Sequence, residues 1–242
     1  MTETITEQVK KTALITGSGR GLGAAIAGRL LDDGFRVVIT DIDQALAEQT
    51  AKALDPSGEK AMALKLDVCQ KQDFVAAVEA VSDAWGGLSV LVNNAGMTKT
   101  TPIFEIEADE FDQVMAINLR GTFLGCQVAG RHFADQGYGR IINMASLAAQ
   151  NGGAATGAHY AASKGGIVTL TKVFARDLAA NGVTVNAISP GPLDVDLVHE
   201  ILSPETVANL KTAIPVGHLG NPDFIGDLVV MLASEKAASM TG

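Results

Sequence analysis

The sequence predicts an α/β domain: a doubly wound parallel sheet with helices on both faces, in three α/β/α layers. Three observations carry that expectation. Short β-branched runs alternate repeatedly with longer segments of helical period along the 242 residues. The runs are continuously apolar rather than alternating, as strands buried on both faces require. No Pro/Ser-rich linker, low-complexity tract or internal repeat divides the chain, so residues 11–242 read as a single domain behind a polar tail at 1–10.

The elements follow in order. "TALIT" (12–16), "RVVIT" (36–40), "AMALKLDV" (61–68), "LSVLVNN" (88–94), "RIINMA" (140–145) and "VTVNAIS" (183–189) are the expected strands. Helices are expected at 21–33, 43–54, 70–85, 107–135, 158–180, 203–213 and 221–234. Gly34, "PSG" (56–58), "GG" (86–87), "GYG" (137–139) and "NG" (181–182) punctuate the helix-to-strand turns, where a helix end favours a left-handed residue.

Composition limits the function. Hydrophobic residues make up 47% and charged residues 19%, enough for a large core, while aromatics are only 5%, so small aliphatics do the packing. A net charge of −9 repels nucleic acid and anionic membrane surfaces, and neither is an expected partner. "MTETITEQVKK" has no apolar signal segment, no stretch is long enough to span a membrane, and Cys69 and Cys126 read as buried thiols in a reducing compartment. The expected location is the cytoplasm. His132, His159, His199 and His218 share no ligand spacing, so no metal is expected, and His159 reads as a pocket or surface residue.

"TGSGRGLG" (16–23) sets Gly17, Gly19, Gly21 and Gly23 in the turn from the first strand to the first helix. There, unpaired N–H groups at the helix start and missing Cβ atoms admit a pyrophosphate. No Gly-Lys-Ser/Thr follows, which disfavours a P-loop. Asp41 ends the second strand 18 residues after Gly23, where a carboxylate accepts from adenosine ribose hydroxyls, although Asp41 or Asp43 could equally cap the next helix. That carboxylate would repel a 2′-phosphate, which favours NAD(H); Arg20 in the loop pulls the other way, towards NADP(H).

"HYAASKGG" (159–166) puts Tyr160 and Lys164 on one helix face. Lowering a phenol from pKa about 10 to about 7 takes roughly 4 kcal/mol. One ammonium about 4 Å away supplies about that much at an effective dielectric near 20. Lys164 is therefore expected to activate Tyr160 as an acid/base. Ser146 ends "RIINMA", at a carboxyl strand end where a hydroxyl can donate to a substrate carbonyl oxygen.

With "LDV" (66–68), "NNAG" (93–96), "INL" (117–119), "MAS" (144–146), "YAASK" (160–164) and "SPG" (189–191) added in order, the chain from about residue 11 resembles a single-domain short-chain dehydrogenase/reductase, of the kind that includes 3-oxoacyl-carrier-protein reductases and ketone reductases. The resemblance implies a Rossmann-like fold and a tetrad of Asn118, Ser146, Tyr160 and Lys164. Tyr160 would exchange a proton with the substrate oxygen and Ser146 would orient it. Lys164 would hold the nicotinamide ribose, and Asn118 would position a water linking Lys164 to solvent. It implies cofactor contacts from the glycine loop, Leu22 and Arg20 included, and from Asp67 and Val68 at the adenine. Asn94, Ala95 and Gly96 would wall the pocket, and Pro190 and Gly191 would turn beside the nicotinamide.

The implied activity is reversible hydride transfer between NAD (NADP less favoured) and a ketone or secondary alcohol. The alternatives are a 3-oxoacyl thioester reductase and a non-catalytic dinucleotide-binding scaffold. The resemblance also implies a homotetramer (or homodimer), with helices 107–135 and 158–180 at one interface. Three departures stand out: Val195 occupies the place of a cofactor-contacting threonine, "AAQNGGAATGAHY" (148–160) is rich in small residues, and relatives continue past "SMTG" (239–242) into another strand. Residues 192–213 are expected to form a lid over a small-molecule substrate.

Overall fold

The computed structural model describes residues 11–153 and 156–242. The expected tail at 1–10 lies outside them, as do Ala154 and Ala155 of the small-residue stretch. Six strands, β1 (Thr12–Ile15), β2 (Arg36–Asp41), β3 (Ala61–Lys65), β4 (Val90–Asn93), β5 (Gly139–Met144) and β6 (Val183–Ile188), form one sheet in the order β3-β2-β1-β4-β5-β6. Every pairing is parallel; Ala13, for example, lies between Val37 and Val90.

Alternation along each strand builds two cores. Ala13, Ile15, Val37, Ile39, Val90 and Val92 face one side, against α1 (Gly21–Asp32), α2 (Gln44–Leu54) and α10 (Pro222–Ala233). Leu14, Val38, Leu91 and Ile141 face the other. They meet α3 (Lys71–Trp85), α5 (Gly121–Gln136) and α7 (Ala158–Leu178). Both faces are covered, so the continuous apolarity of the strand sequences is explained by burial on two sides. From β1 the chain winds outward to β2 and β3, then returns to β4 and winds the opposite way, which opens a crevice at the carboxyl ends of β1 and β4.

Several boundaries differ from the sequence reading, each for a local reason. The strand expected at 61–68 stops at Lys65, because Asp67 Oδ1 accepts from the Cys69 N–H at 2.9 Å and turns the chain. The helix expected at 107–135 is α4 (Ala108–Met115) and α5 joined by a wider π turn at Ala116–Arg120, closed by the Gly121 N–H on the Ala116 carbonyl. Apolar periodicity cannot detect one extra residue in a turn. Three short or late helices also appear: α6 (Ala148–Asn151), α8 (Asp196–Ile201) and α9 (Pro204–Ala213), of which only α9 was expected. Of the two thiols, Cys126 is buried but Cys69 is only half-buried. No helix among the described residues is long and apolar enough to cross a membrane.

Candidate active site

The glycine loop leaves β1 and enters α1. Gly17 adopts φ +60°, and a Cβ there would lie 2.8 Å from Ala95 Cα, so the loop packs directly on the end of β4. Asn94 fastens that contact: its Nδ2 donates to the carbonyls of Thr16 and Gly17, both at 2.9 Å. A Cβ on Gly23 would strike the same Asn94 amide and the Gly17 carbonyl. Around Gly21, by contrast, the space where a Cβ would go is open. No side chain caps the start of α1, which leaves its first-turn N–H groups without a side-chain partner. An open cradle with exposed N–H donors suits the pyrophosphate of a dinucleotide. Leu22 turns its side chain into the core.

Asp41 and Asp43 divide the roles that the sequence left open. Asp43 caps α2, accepting from the N–H groups of Ala45 and Leu46. Asp41 instead accepts from Gly19 N–H at 3.2 Å and from Asp43 N–H at 3.2 Å, which holds its carboxylate beside the glycine loop. Arg20 reaches across to Glu200 on α8, 3.3 Å away. Asp67 and the buried Val68 follow β3, and Val68 lies against Gly121 at the start of α5. Pro190 and Gly191 follow β6, where the Pro190 carbonyl accepts from Leu147 N–H at 2.9 Å.

Three of the four tetrad candidates converge at the end of β5. Ser146 follows that strand, its Oγ accepts from Ala148 N–H at 3.1 Å, and it is the polar neighbour that acts on the Tyr160 hydroxyl. Lys164, one turn along α7 from Tyr160, is buried, and its ammonium donates to the Met144 carbonyl at 2.7 Å. Burial lowers the Lys164 pKa to about 8. The expected activation of the phenol does not occur in this state. Lys164 Nζ sits 5.6 Å from the Tyr160 ring centroid, turned towards Met144. Burial dominates and pushes the Tyr160 hydroxyl above its ordinary value, only partly offset by Ser146.

Asn118 lies in the π turn, fully buried. Its Oδ1 accepts from Met97 N–H at 2.7 Å, and its Nδ2 donates to the Met97 carbonyl at 2.9 Å and to Ser163 Oγ at 3.0 Å. Both donors of the amide are thereby used, so the side chain braces the loop after β4 against α7. A Cβ on Gly96 would lie 3.4 Å from Asn118 Oδ1 and 3.6 Å from Lys164 Nζ. His159 is neither a surface nor an open pocket residue. It is fully buried, with Nε2 2.9 Å from Glu110 Oε1 on α4. Glu110 escaped the sequence reading because nothing in an amphipathic helix start marks one acidic residue among several. Among the described residues no three His, Cys, Asp or Glu gather in the manner of a metal site.

Beyond Gly191 the chain makes an excursion containing α8 and α9, with Val195 at the start of α8. It is closed where Asp194 N–H meets the Gly220 carbonyl at 2.8 Å and Gly220 N–H meets the Pro192 carbonyl at 2.9 Å. Between this excursion and the segments 100–103, 152–153 and 156–158 lies a cavity of about 610 Å³, lined among others by Thr101, Gly153, Thr156, Ala158, Ile201 and Thr206.

The chain is similar to known proteins in sequence and in fold. A family model described as enoyl-(acyl carrier protein) reductase matches residues 17–242. D-threitol dehydrogenase of Mycolicibacterium smegmatis is 38% identical over 96% of this chain and 89% of its own. The 3-oxoacyl-[acyl-carrier-protein] reductase FabG of Vibrio cholerae is 36% identical over 96% and 93%. The crystal structure of gox2181 superposes with a TM-score of 0.91 at 28% identity, covering 96% of this chain and 91% of that one. With the sheet order, the glycine cradle and the Ser146–Tyr160–Lys164 group in place, the chain belongs to the short-chain dehydrogenase/reductase family of nicotinamide-dependent oxidoreductases.

Proposed function

We propose that the chain reduces a small neutral ketone, or oxidises the corresponding secondary alcohol, with NAD(H), and that Tyr160, Ser146 and Lys164 carry the chemistry. The observation that supports this most is the meeting of those three side chains at the carboxyl end of β5. When bound, the nicotinamide supplies or accepts the hydride at C4. The Tyr160 hydroxyl, kept protonated by burial, donates a proton to the carbonyl oxygen as it gains negative charge. Ser146 donates a hydrogen bond to the same oxygen. Lys164, fixed by Met144, holds the nicotinamide ribose. Asn118 braces the wall at Met97. A protonated phenol suits reduction directly. Oxidation needs the phenolate, which positive charge from the oxidised nicotinamide favours.

Two features support NAD(H). Asp41 occupies the edge of the glycine loop, and Arg20, the one cation of the loop, is paired with Glu200. Asp41→Ala is expected to raise the NADPH-to-NADH ratio of kcat/KM by about tenfold, a change of roughly 1.4 kcal/mol. Steady-state kinetics with both cofactors checks this; an unchanged ratio would remove Asp41 from the ribose site.

The cavity supports a neutral, hydroxylated substrate. Thr100, Thr101, Thr156, Ser203 and Thr206 line it, with no charged side chain among its lining residues. The Thr156 hydroxyl is buried without a partner among the described residues, a position a substrate hydroxyl can satisfy. The 192–213 excursion is the proposed lid, and a 3-oxoacyl thioester remains the second reading on the strength of the FabG relative.

A homotetramer is proposed on a second surface. Met115, Leu119, Phe123 and Leu170 line an open groove of about 800 Å³ between the α4–α5 helix and α7, with Phe111 and Phe123 exposed beside it. Another copy of the chain would cover those rings. Phe123→Arg is expected to lower the mass measured by sedimentation to that of a smaller assembly; an unchanged mass would place the interface elsewhere.

A further inference from the structure

We infer that His159 and Glu110 form a positioning clamp that fixes Tyr160 through its backbone at the start of α7. The inference rests on the reading of Tyr160 as the proton donor. It begins at the start of α7, where Gly157 is the N-cap and offers no side chain to the first-turn N–H groups. His159 supplies what the glycine lacks: its Nδ1 accepts from the Tyr160 backbone N–H at 3.0 Å. The opposite ring nitrogen, Nε2, meets Glu110 Oε1 at 2.9 Å. Nδ1 is thus an acceptor and Nε2 a donor, and a single neutral tautomer satisfies both bonds.

The clamp reaches three segments. Glu110 belongs to α4 and neighbours Thr101, a residue of the wall of the 610 Å³ cavity. These two neighbours keep the Glu110 carboxyl below its ordinary value, with Thr101 the larger cause and His159 the second. Gly157 N–H donates to the Lys99 carbonyl at 2.7 Å, which pins the start of α7 to the same loop. Gly157 has to be glycine here, because a Cβ would lie 2.3 Å from His159 Cε1 and 3.1 Å from the Lys99 carbonyl oxygen. Imidazole, loop 99–101 and the first turn of α7 therefore pack as a unit. Tyr160 follows His159 directly, so the direction of its side chain is fixed by this packing. His159 and Glu110 touch neither the hydroxyl nor the lysine; they act through the backbone of Tyr160.

A displacement of about 1 Å at a reacting group can cost about 100-fold in rate. His159→Leu, which fills the space and makes neither bond, is expected to lower kcat by about 10- to 100-fold, with substrate KM and NADH Kd within about twofold of wild type. His159→Asn returns an oxygen acceptor to the place of Nδ1 and is expected to recover most of the lost kcat. Glu110→Gln keeps an acceptor for Nε2–H and is expected to stay within about threefold of wild type, whereas Glu110→Ala follows His159→Leu.

The variants are compared by steady-state kinetics, NADH fluorescence titration and thermal melting. Wild-type kcat in His159→Leu overturns the clamp. So does a loss that His159→Asn leaves uncorrected while NADH affinity and melting temperature fall together, since that pattern marks general damage to the fold. Tyr160→Phe in the same assay keeps the two ideas apart: if it retains turnover, the assignment of Tyr160 fails, whatever His159 does.

Discussion

Tyr160→Phe is expected to abolish turnover, by at least about 1000-fold in kcat, while NADH still binds within about twofold of wild type. General acid catalysis contributes about 100- to 10,000-fold, and the Phe variant lacks the hydroxyl proposed to donate the proton. The ring stays, so packing against Lys164 at 5.6 Å is retained and the fold is undisturbed. Loss of turnover with intact cofactor binding is the signature of a group used in the chemical step. Near-normal turnover would show that the proton comes from elsewhere.

Lys164→Met is the second large effect, and it moves activity and stability in opposite directions. Activity is expected to fall by at least about 100-fold, because the ammonium proposed to hold the nicotinamide ribose is gone. Stability is expected to rise. The Lys164 ammonium is buried, with its pKa lowered from 10.5 to about 8 by desolvation alone. Between those values the unfolded chain binds a proton that the folded chain has released, so the contribution of Lys164 to stability rises with pH across that window.

At pH 7 both states are protonated and the full penalty, about 3 kcal/mol, is present. Replacing the group by a thioether side chain of similar length removes the penalty, at the loss of the bond to Met144. Denaturant unfolding at pH 7 and at pH 10 checks both parts. A gain at pH 7 that shrinks at pH 10 is predicted; destabilisation at both would contradict the account of Lys164 as a strained functional group.

The sheet was legible because each strand is a short β-branched run buried on two faces, and the turns are marked by glycine. β1 and β2 were placed to within a residue. The π turn at Ala116–Arg120 was not legible, since its signature is a shift in backbone bonding within continuous helix-forming residues. The same limit governed the site. Ser146, Tyr160, Lys164 and the glycine loop are patterns of side-chain identity at fixed spacing. The groups that fix them in place are largely backbone atoms, such as the Met144 carbonyl under Lys164 and the Met97 peptide around Asn118.

No residue pattern announces a carbonyl as a partner. The state of Tyr160 was misjudged for a related reason: a sequence gives the separation of Tyr160 and Lys164 along a helix, but neither the direction in which the ammonium turns nor the depth of burial. His159 and Glu110, 49 positions apart, meet only because α4 packs on the start of α7.

The most direct test follows the hydride itself. NADH carrying deuterium at both C4 positions is incubated with the enzyme and a panel of small hydroxyketones and a 3-oxoacyl thioester, and each alcohol product is examined by mass spectrometry and NMR. The account predicts one deuterium per product molecule, on the former carbonyl carbon, with the neutral hydroxyketones turned over in preference to the thioester. Alcohol formed without deuterium at that carbon, or no alcohol from any ketone while NADH binds, would contradict the assignment of this site to carbonyl reduction.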